Sequence, residues 1–204
     1  MDERRPTPVY DRVADDYDRA MRPLERWFLA RWRAAALKEL PPRSRLLEIG
    51  AGTGLNFRHY PPGARGVATE LSGEMLKHAR RKTERPPGVA LVQCRAERLP
   101  FADGAFDAAC AALVFCSVES PQDAFRELRR VVRAGGRVVL LEHVRPDGVL
   151  TGPLFDLFNV CTSRLFADHV NRRTAATAAA AGLRVRRVER HLLGVVQLIV
   201  CEVC

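Results

Sequence analysis

Two glutamates and three glycines carry the first chemical suggestion in this chain. Leu46-Leu47-Glu48-Ile49-Gly50-Ala51-Gly52-Thr53-Gly54 is an apolar run that ends in an acid and then sets glycine at alternate positions. A buried strand turning sharply into a helix has this form, and without side chains at the turn the backbone N–H groups can close on a ligand. Glu70 ends the next apolar run, Gly66-Val67-Ala68-Thr69-Glu70, 22 residues beyond Glu48. An acid at the tip of the second strand of a doubly wound sheet hydrogen-bonds ribose hydroxyls, a bidentate task suited to an ionised carboxylate. Leu55 stands where the dinucleotide fingerprint G-x-G-x-x-G needs its last glycine, which weighs against NAD or FAD. His143 follows Glu142 at the end of another apolar run and suits either a general base or a structural histidine.

The elements that must position these residues alternate. Strand patterns cover 45–50, 65–70, 89–94, 106–114, 137–144, 183–191 and 194–203, and helical patterns cover 54–60, 72–83, 121–132 and 172–181. Ser72 can cap the second of these helices, and Ser120 with Pro121 starts the third. Such alternation predicts an α/β fold, a doubly wound seven-stranded, mostly parallel sheet with helices on both faces. Little more than Leu192-Leu193-Gly194 separates the last two strands, which is short enough only for an antiparallel hairpin.

The glycine run and three further stretches of the chain match one family in order. The run E-x-G-x-G-x-G with a following strand-end acid resembles the class I S-adenosylmethionine-dependent methyltransferases. Ala96-Glu97-Arg98-Leu99-Pro100-Phe101 is similar to that family's adenine-side loop, and Phe106 to Val118 is similar to its fourth strand and the loop after it. Leu128-Arg129-Arg130-Val131-Val132-Arg133-Ala134-Gly135-Gly136 resembles its turn into strand five, so the resemblance runs from about Tyr10 to Cys204. It implies a reversed final strand and S-adenosyl-L-methionine as cofactor. Gly50, Gly52 and Gly54 would then approach the methionine portion, Glu48 would orient their loop or reach the amino group through water, and Glu70 would accept both ribose hydroxyls. Ala96 would hold adenine; Arg95 stands where many relatives carry Asp, which leaves Glu97 or a backbone carbonyl to accept from the adenine amine. Leu71, Met75 and Leu99 are implied as apolar walls, and Phe115 and Cys116, in the loop block that opens with Leu113, lie where methyl donor meets acceptor.

Tyr10-Asp11-Arg12-Val13-Ala14-Asp15-Asp16-Tyr17-Asp18 resembles the opening of the ubiquinone/menaquinone and phospholipid methyltransferases. Two helical turns separate Tyr10 from Tyr17, so both fall on one face. In such enzymes this segment folds over the cofactor, and a tyrosine such as Tyr17 excludes water; a helix packed on the sheet by two aromatics is the alternative.

Composition sets the outer bounds. At 204 residues and 47% hydrophobic, the chain suits one domain, with a helical cap over about 8–40 and an acceptor-side insertion over about 148–171 that is rich in Leu and Phe. No apolar run approaches the ~20 residues that span a bilayer. Met1 to Arg5 leads to no apolar h-region, so a cytoplasmic protein with reduced thiols is expected. Cys201-Glu202-Val203-Cys204 is formally C-x-x-C, but in a strand residues three apart face opposite sides, so no metal site is expected.

The net charge of +9 admits nucleic acid, an anionic membrane or acidic substrates. No RNA-binding appendage and no N-P-P-Y motif after strand four accompany it, which weighs against a nucleic-acid partner. A helix over Pro23–Leu40 gathers Leu24, Phe28, Leu29, Trp32, Ala35, Ala36 and Leu40 on one arc bordered by Arg26, Arg31, Arg33 and Lys38. That stripe suits peripheral binding to an anionic membrane at the inner face, and it would equally well cover the sheet. An apolar insertion with a basic amphipathic helix favours a hydrophobic or lipid acceptor. The expectation drawn from both is N-methylation of phosphatidylethanolamine-type lipid. The alternatives are C-methylation of a quinone precursor, S-methylation of a small thiol, or a non-catalytic cofactor-binding protein.

Overall fold

The computed structural model of the chain describes residues 8–144 and 172–204. Seven strands, β1 (Arg45–Ile49), β2 (Arg65–Glu70), β3 (Val89–Gln93), β4 (Phe106–Ala112), β5 (Val132–His143), β6 (Leu183–His191) and β7 (Val196–Val203), form one sheet. Its order is β3-β2-β1-β4-β5-β7-β6. β1 pairs in parallel with β2 and β4, β2 with β3, and β4 with β5. β7 runs antiparallel between β5 and β6, as the short hairpin requires. The strand order reverses between β1 and β4, which in an open α/β sheet is where a ligand crevice forms beyond the carboxyl ends of the strands.

The central strands are buried on both faces, and their alternation divides the core in two. On one side Leu47, Ile49, Ala109, Ala111, Val138, Leu140 and Ile199 pack against α4 (Pro121–Val131) and α5 (Thr174–Ala180). On the other Leu46, Ala108, Cys110, Val139, Leu141, Leu198 and Val200 meet Trp32, Ala36 and Leu37 of α2 (Ala30–Lys38) and Leu29 just before it. The caps follow the sequence: Ser72 Oγ accepts from the Met75 amide at 3.1 Å at the head of α3 (Gly73–Arg81), and Ser120 with Pro121 begins α4. Cys201 is buried and Cys204 exposed, so the C-x-x-C pair does not share a face.

Two local expectations are corrected. The stretch 54–60 holds a single 3-10 turn, Phe57–His59, instead of a helix, because Tyr60 is already extended before Pro61 and Pro62. The helix expected over Pro23–Leu40 is interrupted. α1 (Pro8–Leu24) runs into a π turn, Glu25–Leu29, before α2 begins. The wider turn breaks the single apolar arc. Leu29, Trp32, Ala36 and Leu40 stay buried, while Leu24 and Phe28 move to the surface beside Trp27. Arg33, expected on a basic flank, is 4% exposed. The expected insertion at 148–171 lies outside the described residues.

Candidate active site

A cavity of about 340 Å³ opens at the carboxyl ends of β1, β2 and β4, beneath α1. Of the residues singled out from sequence, Tyr10, Tyr17, Gly50, Gly52, Glu70, Leu71, Ala96, Glu97 and Leu113 line it, joined by Met75. Acids on α1 hold that helix across the opening: Asp11 accepts from the Ser72 hydroxyl, Asp15 meets His78 at 3.0 Å, and Asp18 accepts from Thr53 Oγ1 and Lys82 Nζ, each at 2.5 Å. This is how Tyr10 and Tyr17 come to the cavity wall.

The glycine turn is shaped from three sides. Gly50 has a φ of +64°, and a Cβ there would lie 2.5 Å from Val114 Cγ2, so only glycine lets the turn and the loop after β4 approach. Gly54 also has a positive φ, and its missing Cβ makes room for the Phe57 ring; it does not line the cavity. Glu70 accepts from the Gly52 amide at 2.9 Å with one oxygen, and from the Leu71 and Ser72 amides at 2.8 and 2.9 Å with the other. Burial raises its pKa while these amides oppose the rise, and the carboxylate stays in the cavity wall.

Glu48 stands behind the turn, fully buried and off the cavity wall, so its position offers no direct reach to a ligand. It accepts from Asn56 Nδ2 at 2.5 Å and from the Tyr60 hydroxyl, and burial raises its pKa against these bonds. Asn56 Oδ1 in turn accepts from Arg33 Nη1 at 2.9 Å, and Arg33 Nε donates to Glu25 Oε1 at 2.9 Å. Arg33 lines the cavity, and its remaining guanidinium nitrogen has no protein partner among the described residues. A buried cation thus faces the ligand space.

The loop after β4 is held by a second buried acid. Glu142 accepts from the Val114 amide at 3.1 Å and from the Phe115 amide at 3.3 Å, and burial pushes its pKa up to about 8. The turn begins at Leu113, whose φ of +61° is unusual for a side chain of this size. Phe115 and Cys116 are buried and off the wall: Phe115 stacks on Phe125 at 4.2 Å in the core, and Val114, Ser117 and Val118 face the cavity in their place. His143 pairs with Val196 at the sheet end and does not line the cavity. Burial, and then Arg33, lower its pKa. At the adenine-side loop, Glu97 accepts from the Glu119 and Ser120 amides at 3.0 and 3.2 Å, while Arg95 pairs with Glu119 at 2.6 Å.

A methyltransferase domain family matches residues 47–140. A ubiquinone/menaquinone biosynthesis C-methyltransferase, UbiE, of Syntrophotalea carbinolica is 35% identical over 158 residues, which cover 74% of this chain and 67% of that protein. The chain belongs to the class I S-adenosylmethionine-dependent methyltransferases. A phosphatidylethanolamine N-methyltransferase of Cereibacter sphaeroides is 32% identical over 152 residues, covering 68% of the chain and 73% of the relative. Among solved structures, a SAM-dependent methyltransferase of Thermotoga maritima superposes with a TM-score of 0.73 at 23% identity, covering 97% of this chain and 99% of that one. That likeness confirms the fold.

The cofactor of this methyltransferase is S-adenosyl-L-methionine, and the residues present fit it. A Cβ built on Gly52 meets nothing within 4 Å, so this turn is open on its cavity side, with Glu70 alongside. No group of metal-ligating side chains occurs among the described residues.

Arg33 and Glu142 are the two residues whose place in the methyltransferase site sequence reasoning missed. Glu142 had a visible signal, an acid inside an apolar strand run beside His143. Arg33 had none, since its inward turn depends on the π turn and on Glu25 eight residues earlier.

Proposed function

We propose that this methyltransferase places a methyl group on a ring carbon of a hydroxylated aromatic acceptor of the quinol type, carrying an apolar tail. The observation that carries this reading is Arg33, a buried cation in the wall of the cavity. A quinol ring carbon becomes nucleophilic when a neighbouring hydroxyl ionises, and a buried guanidinium favours that anion strongly in a low-dielectric site. An amine acceptor gains positive charge as it is methylated, so the same cation opposes it. Phosphatidylethanolamine N-methylation therefore gives way to C-methylation, in keeping with the slightly closer quinone-pathway relative.

Bound S-adenosylmethionine supplies an electrophilic methyl for in-line displacement. Such a transfer asks the protein chiefly for alignment and a water-poor pocket. Tyr10 and Tyr17 close the cavity from α1; Leu113 and Val114 offer an apolar wall held in place by Glu142. Glu70, Gly52 and Ala96 orient the cofactor, and Glu97 borders its adenine. Arg33 stabilises the acceptor's oxyanion. The ring carbon loses its proton after methylation, and His143, whose pKa burial and then Arg33 lower, is assigned to receive it through an intervening water, since the residue lies off the cavity wall. A tailed quinol resides in a bilayer, so on this reading the enzyme works at a membrane surface. No helix among the described residues is long and apolar enough to cross one.

The test is methyl-labelled cofactor offered with a demethylated quinol, phosphatidylethanolamine and a small thiol in parallel. Label on the quinol alone supports the reading. Label on the phospholipid or thiol, with none on the quinol, overturns it.

A further inference from the structure

Besides Val13 on α1, the described surface carries five large apolar side chains that the core does not absorb. Trp27 is 67% exposed and Leu193 90%, with Leu24, Phe28 and Leu192 also exposed. They come from segments more than 160 residues apart, yet Trp32 joins them. Its ring stacks with Phe28 at 6.0 Å and with His191 at 5.2 Å, and His191 leads directly into Leu192 and Leu193 at the tip of the β6–β7 hairpin. The π turn and the hairpin tip are therefore neighbours.

The backbone holds the leucines outward at a cost. Leu192 and Leu193 have φ values of +46° and +56°, in the left-handed region that hairpin turns normally fill with Asn or Gly. Branched apolar residues in that conformation, one of them almost wholly exposed, contribute nothing to the core. Two arginines border the aromatic part of the patch. Arg26 lies over the Trp27 ring at 5.8 Å and Arg31 over the Trp32 ring at 5.3 Å, both at the surface. The one acid of the π turn, Glu25, is turned inward onto Arg33. Aromatic and leucine side chains ringed by arginine match the boundary of an anionic bilayer, where indole rings sit at headgroup depth and guanidinium groups meet lipid phosphates.

We propose that the π turn and the β6–β7 tip form one composite surface that inserts shallowly into an anionic lipid bilayer. The tip lies at the same end of the sheet as the cavity. The Val144 amide donates to the Val195 carbonyl at 2.8 Å, tying the hairpin to the residue after His143, while the π turn leads straight into the helix that carries Arg33. Insertion here would bring the acceptor side of the cavity to the lipid, so the inference deepens the reading of a tailed acceptor and rests on it only for the purpose that docking serves.

The experiment uses the full chain with phosphatidylcholine vesicles, with and without phosphatidylglycerol. Trp27 emission should shift to the blue only with the anionic vesicles, and binding should weaken as salt is raised. Leu193→Asn keeps a residue that tolerates the left-handed backbone and removes the apolar tip. Vesicle affinity should fall at least tenfold, with the melting temperature unchanged or higher. Arg26→Glu should abolish the preference for anionic lipid. Turnover of a short-tailed, water-soluble acceptor by Leu193→Asn should match the unaltered enzyme, so loss of vesicle binding is separable from failure of the methylation reading. Equal binding to both vesicle types, unaltered binding by Leu193→Asn, or a change in oligomeric state in place of vesicle binding would overturn the proposal.

Discussion

The carboxylate of Glu142, fully buried at the end of β5, accepts the backbone amide of Val114 at 3.1 Å. Through that bond one strand sets the conformation of the loop that follows its neighbour. Val114 is also the side chain that only a glycine at position 50 can accommodate, so Glu142, Val114 and Gly50 form a continuous support beneath the cavity floor.

Glu142 makes stability depend on pH in an unusual sense. Its pKa rises from an ordinary 4.5 to about 8 because burial disfavours the charged form. Between these values the folded chain holds a proton that the unfolded chain releases, so this group's stabilising contribution is complete below pH 4.5 and is lost as pH rises to about 8. The slope is about 1.4 kcal/mol per pH unit at its limit. Glu142→Gln should lack that slope. Urea unfolding at pH 5, 6, 7 and 8 checks this, and parallel curves for the two proteins would refute it.

Glu70→Ala should weaken S-adenosylmethionine binding at least tenfold. The loss would combine the proposed contacts to the ribose hydroxyls with the anchor on the Gly52 amide, and charge-assisted hydrogen bonds of this kind are worth ~1.5–3 kcal/mol each before solvent compensation. Titration calorimetry with S-adenosylhomocysteine reads the effect. Unchanged affinity would return Glu70 to a purely structural role.

Much of this architecture was legible because it depends on local periodicity. Runs such as Leu46–Ile49 and Val138–Leu141 are apolar on both faces, as central parallel strands must be, and Ser72 and Ser120 mark helix starts by their own chemistry. The glycine turn and Glu70 were legible for the same reason, since their spacing is set by a single strand and turn. The inward turn of Arg33 was not. It depends on one extra residue in the π turn and on Glu25 and Asn56, partners that lie 8 and 23 positions away. The helix expected over 54–60 stops short because Tyr60 is extended before Pro61 and Pro62, and the side chains of Asn56 and Tyr60 are drawn to Glu48.

Arg33→Met should reduce turnover of a phenolic acceptor by about 10²–10³, the usual scale for loss of one group that stabilises a developing oxyanion. Because the acceptor hydroxyl would then ionise nearer its solution value of about 10, activity of the variant should recover toward alkaline pH. Arg33→Lys should retain part of the neutral-pH activity. A variant that keeps full turnover at pH 7, with a melting curve that shows it folded, would remove Arg33 from the chemistry.

His143→Ala separates a base from a strand-end fixture. As a base, His143 contributes ~10²–10⁴-fold, so turnover should fall on that scale while cofactor affinity holds. Its depressed pKa should keep wild-type activity flat from neutral pH down to below 6.5 before it declines. Wild-type turnover in the alanine variant would leave alignment and exclusion of water as the whole of the protein's contribution.

Locating the transferred methyl tests ring C-methylation most directly. The enzyme is incubated with carbon-13 methyl-labelled cofactor and a tailed, demethylated hydroquinone in anionic vesicles, and the product is read by nuclear magnetic resonance. A new aryl methyl resonance on the ring carbon beside a hydroxyl is expected. A methoxy signal, an N-methyl signal from the vesicle lipid, or bound cofactor with no transfer to the ring would contradict it.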